Sequence, residues 1–85
     1  MSRVGFHRHK AEPGSALAKA RMRAHDAFDA LWKLDLMSRS QAYLWLAEEL
    51  GVRSEDCHMV LFDEATCELV RALSDDRFFA ELLGQ

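Results

Sequence analysis

Apolar residues recur along this chain at intervals of three and four, and no segment alternates apolar with polar. From Ala16 to about Leu34 they fall at Leu17, Ala20, Ala24, Ala27, Phe28 and Leu31, the one-sided stripe of an amphipathic helix. Ser15 stands just before it with a hydroxyl able to accept an orphan backbone N–H. Lys19, Arg21, Arg23 and Lys33 lie largely off the stripe. Further on, Ser38 and Gln41 have the spacing of a capping box. The helix they begin runs to Leu50, and Gly51 is placed to stop it. Tyr43, Leu46, Ala47 and Leu50 share one face; Leu44 and Trp45 widen it, which predicts packing on more than one side.

Beyond Gly51 the pattern predicts three short helices. One spans Ser54–Leu61. Another is capped by Asp63 and runs through Leu73, with Cys67, Val70 and Leu73 inward. The last is capped by Ser74, and Phe78, Phe79, Leu82 and Leu83 give it apolar mass before Gly84. The expected fold is all-α, a compact bundle of about five helices, three of them short, over residues 15–85. Residues 1–14 are polar and basic and end in Pro13-Gly14, a turn signal; they read as a basic, loosely ordered arm.

At 85 residues the chain has room for one core. With 49% hydrophobic and 29% charged residues it has the composition of a globular protein. Apolar runs fall short of the roughly 18–20 residues that cross a bilayer, and the N-terminus has no signal-peptide pattern. A cytoplasmic protein is expected, with Cys57 and Cys67 reduced.

Charge changes the picture more than composition does. Residues 1–39 hold eight basic and four acidic side chains, and residues 40–85 three basic and ten acidic, for a total of −3. Such asymmetry has two explanations: a binding surface of one sign, or a basic helix lying against acidic ones inside the fold.

Residues able to carry chemistry are few. His7, His9, Cys57 and His58 could supply a four-ligand zinc site, but adjacent Cys57 and His58 diverge on a helix, and His7-x-His9 is not the spacing of a structural site. Cys67 falls at a core position, where a cysteine acts as a small hydrophobe. No cofactor is expected. A Cys57/His58 dyad lacks the geometry and the oxyanion loop of nucleophilic catalysis, so no enzymatic activity is expected either. Leu46 to Ser54 has the outline of a helix-turn-helix corner. Its recognition helix would open with Glu55-Asp56 facing phosphates, which disfavours DNA reading.

Three stretches carry a family resemblance: Val4-Gly-Phe-His7, Ala20 to Trp32, and Met37 to Gly51, with Cys57-His58 and Phe62-Asp63 beyond. On these the chain resembles the zinc-finger-containing domain family of phages and plasmids. Members of that family are expected to carry paired cysteines upstream of the Val-Gly-x-His segment. This chain holds no Cys-x-x-Cys, so it resembles the helical part of the family, with His7, Cys57 and His58 as remnants of a site. The resemblance implies a mobile-element origin, and small phage proteins of this kind include inhibitors of host defence, among them the anti-CRISPR type.

Two functions are therefore expected. In the first, an acidic helical surface of Glu48, Glu49, Glu55, Asp56, Asp63, Glu64, Asp75 and Asp76 binds a host protein or nucleoprotein complex and blocks its nucleic-acid groove, as a DNA mimic would. The alternative is a nucleic-acid-associated accessory domain that uses Arg3, Arg8, Lys10, Lys19, Arg21 and Arg23. Neither involves a membrane or a small-molecule substrate.

Overall fold

The computed structural model describes residues 4–7 and 10–84. Among these the chain is all-α: three α-helices, α1 (Ala16–Lys33), α2 (Arg39–Leu50) and α3 (Glu64–Leu83), with two single 3-10 turns, Ser54–Asp56 and Met59–Leu61, between the last two.

The helix starts follow local side-chain chemistry. Ser15 Oγ accepts from the Ala18 amide at 3.1 Å. Ser38 and Gln41 form both bonds of the capping box, each at 3.1 Å. Asp63 Oδ1 accepts from Thr66 N at 2.8 Å and opens α3. Two helix ends share one geometry. At the end of α2 the Val52 amide reaches Ala47 O and the Gly51 amide reaches Glu48 O, with Gly51 at φ 72°. At the end of α1 the Leu36 and Asp35 amides reach Leu31 O and Trp32 O in the same pattern. Both are Schellman closures, but in the second Asp35 takes the left-handed conformation at φ 60°, which costs a residue with a Cβ more than glycine.

Five helices were expected and three are present. Ser74 does not start a helix; it is fully buried in the middle of α3. An N-cap must leave helical dihedrals, and no glycine or proline between Glu64 and Leu83 interrupts the backbone. Ser74 instead continues the buried stripe of Cys67 and Val70, and its hydroxyl has no hydrogen-bond partner. Nor is Ser54–Leu61 a helix. Its two turns are separated at Cys57 and His58, with His58 extended at φ −133°, ψ 126°, because Cys57 turns fully into the core while His58 stays exposed.

Helix α1 packs chiefly on α3. Ala20, Ala24, Phe28 and Leu31 meet Leu46, Leu50, Phe62, Cys67 and Val70 in one core, with Phe28 edge-on to Tyr43 at 4.8 Å between ring centroids. On α2 the stripe is Ala42, Leu46, Ala47 and Leu50; Trp45 is half-buried, but Leu44 is 58% exposed rather than packed. Asp29 is buried on α1 and accepts from Trp32 Nε1 at 3.2 Å, with His25 and Lys33 beside it.

Residues 4–7 lie against the start of α3. The His7 amide donates to Leu61 O at 2.8 Å and the Asp63 amide to Gly5 O at 2.9 Å, around an antiparallel bridge between Phe6 and Phe62. Gly5 N donates to Thr66 Oγ1 at 2.8 Å. A Cβ at Gly5 would collide with the Asp63 carboxylate that caps α3, so glycine is required for this close approach.

Candidate functional site

The acidic residues of the expected surface differ in what surrounds them. Asp63 is the α3 cap. Arg53 Nε lies 3.2 Å from Glu55 and 3.1 Å from Asp56. Asp75 accepts from Arg71 at 2.9 Å. Glu64 is exposed in the first turn of α3, where the helix dipole favours a carboxylate. Glu48 and Glu49 are exposed in the last turns of α2, which has no basic residue there, and the dipole opposes negative charge at that end. Asp75 and Asp76 lie in the interior of α3, so helix-start stabilisation does not explain them; Asp76 is exposed.

Glu49 and Asp76 line an open cleft of about 280 Å³ between α2 and α3, with Trp45, Leu73, Arg77 and Ala80. The Arg77 guanidinium lies 5.4 Å from the centroid of the Trp45 ring and its Nε donates to Glu81 at 2.7 Å. Trp45 and Arg77 were not among the expected site residues. Their spacing was readable: Trp45 and Glu49 are i, i+4 on α2, and Leu73, Asp76, Arg77 and Ala80 fall on one side of α3 by the same rule. Two helices bordering a common cleft cannot be inferred from either one alone.

The basic residues of the first half are differently placed. Arg21 donates from Nε and Nη2 to Phe62 O at 3.3 and 3.1 Å, and from Nη2 to His7 O at 2.8 Å. Arg23 donates to Glu68 at 2.8 Å. That bond, more than the neighbouring Arg71, holds the Glu68 carboxyl below the usual carboxylate range. Lys10 and Lys19 are exposed. Arg3 and Arg8 lie outside the described residues, as does His9. The helix-turn-helix outline lacks a recognition helix, since Gly51 is followed by two separate 3-10 turns before α3.

His7 and His58 are exposed, whereas Cys57 and Cys67 are wholly buried. Burial pushes both thiols up to about 11, far from the thiolate that binds metals and attacks electrophiles. Met22, Met59 and Val60 form a mostly apolar hollow of about 240 Å³, rimmed by Arg21, His25 and Asp26.

The model of the zinc-finger-containing domain family matches residues 1–77. The chain belongs to that family. No curated protein and no solved structure matches it. The family's description raises the question of zinc, and the described residues do not fit it. No three His, Cys, Asp or Glu side chains among them come together as a metal site, and the Cys57 thiol points into the core beside an exposed His58. Among the described residues, no helix of this family member is long and apolar enough to cross a membrane.

Proposed function

We propose that this zinc-finger-containing domain protein works by binding, presenting the acidic face formed by the end of α2 and the middle of α3 to a basic nucleic-acid groove on another protein or nucleoprotein complex. In its most specific form, set by the mobile-element origin that the family resemblance implies, the target is a host defence complex and the effect is inhibition. The observation that carries the reading is the placement of Glu48. It is exposed at a helix end where negative charge costs stability, and capping gives it no reason to be there. A basic groove would supply that reason through electrostatic complementarity. The alternative, nucleic-acid binding by the basic first half, is weakened because Arg21 and Arg23 are engaged with backbone carbonyls and with Glu68.

The test is competition. The chain is immobilised, nuclease-treated host lysate is passed over it, and bound proteins are eluted with salt. The expected eluate contains a nucleic-acid-binding protein whose DNA binding is blocked by adding the free chain. A gel shift of mixed-sequence duplex DNA by the chain itself, weakening steeply with salt, would instead support the basic-face reading.

A further inference from the structure

The α2–α3 cleft combines three features that a cationic side chain would use. Glu49 and Asp76 bring carboxylates to it, Leu73 and Ala80 bring apolar surface, and Trp45 brings an indole ring. The chain's own Arg77 already lies over that ring at 5.4 Å, within the distance at which a guanidinium is attracted to an aromatic face. The cleft is therefore shaped and charged for the group it holds. Arginine suits it better than lysine, because a planar guanidinium can stack on the indole while it donates to carboxylates. Arg77 has Glu81 as a second partner, with Nε donating at 2.7 Å, so its guanidinium keeps an ion pair if it leaves the ring.

Resting on the acidic-face reading above, we infer that this cleft receives an arginine side chain of the partner protein, which competes with Arg77 for the Trp45 ring. Glu48 and Glu49 then attract the basic partner over the wider face, and Trp45 selects an arginine within it. Arg77 occupies the ring in the unbound protein and limits affinity for cations that are not guanidinium.

The test uses the full chain, labelled with ¹⁵N, and a nine-arginine peptide titrated at low salt. Shifts are expected at the Trp45 indole N–H and at the amides of Glu49, Asp76 and Arg77, with a nine-lysine peptide binding more weakly. Trp45→Leu is expected to weaken arginine-peptide binding by roughly two- to fivefold, the size of one exposed cation–π contact. Arg77→Ala is expected to tighten it by a similar factor, while Arg53→Ala, the same change in net charge elsewhere, has a smaller effect. Each variant is first checked by circular dichroism. Equal tightening by Arg77→Ala and Arg53→Ala would reduce the effect to net charge and overturn the inference. Shifts at Glu48 and Glu49 with Trp45 unmoved would also overturn it while leaving the acidic face standing. Absence of peptide binding, or binding confined to another face, would remove the acidic-face reading as well.

Discussion

The two sides of α3 use charge in opposite ways. Toward α1, charge is taken up within the fold: Arg23 meets Glu68, and Arg21 closes the contact between residues 4–7 and Phe62. Toward α2 the helices border a cleft, and Glu49 and Asp76 face it from an exposed surface. The charge imbalance between the halves of the sequence is thus partly taken up inside the fold on one side of α3 and left at the surface on the other. Beside that second side, Glu48 is exposed at the end of α2, where the helix dipole opposes negative charge, and that is why the functional reading rests there.

The largest expected effect breaks the closed side. Phe28→Ala removes a fully buried ring that packs on Tyr43 and should cost about 3–5 kcal/mol, a large part of the stability of a small domain; chemical denaturation would measure it. Arg21→Met should cost about 1–3 kcal/mol, because it removes a charged donor shared by the Phe62 and His7 carbonyls. Arg23→Ala removes an ion pair with both side chains about half exposed and should cost under about 1 kcal/mol. Similar losses for the two arginines would mean that the contacts of α1 with residues 4–7, Phe62 and Glu68 are held by net charge rather than by directed bonds.

Ser74→Ala sharpens the comparison with the opposite sign. A capping serine would lose about 1 kcal/mol on truncation. A buried serine without a hydrogen-bond partner in a helix interior should gain roughly 0.5–1 kcal/mol instead. The thiols give an effect confined to high pH. Burial raises both from the ordinary value of 9.0 to about 11, so the folded state holds protons that the unfolded state releases first. Their contribution is complete below about 9 and is lost as pH rises toward 11. Melting temperature should therefore fall more steeply over that window in the parent than in the Cys57→Ala/Cys67→Ala variant, and parallel curves would contradict the burial of both thiols.

Much of this fold was legible in the sequence because its helix starts are set by neighbours. Ser15, Ser38 with Gln41, and Asp63 each satisfy backbone amides within three residues, and Gly51 takes the left-handed turn that glycine favours. Asp35 makes the same turn with no such signal. Ser74 gave a false start, because Ser-Asp-Asp has a cap's composition and only the continuity of the buried stripe reveals helix interior. The acidic residues were readable as a group, but which of them are engaged depends on Arg53 and Arg71, and which face a cleft depends on how α2 sits beside α3. Those are properties of packing, not of local pattern.

The central claim is that the acidic end of α2 serves binding at the expense of stability. Glu48→Lys tests both halves in one protein, by thermal melting and by capture of the partner from lysate beside the parent chain. The account predicts a melting temperature equal to the parent's or slightly higher, since a cation suits a helix C-terminus by a few tenths of a kcal/mol, together with weaker capture of the partner. A variant that melts markedly lower, or that captures the same partner as well as the parent at low and moderate salt, would contradict it.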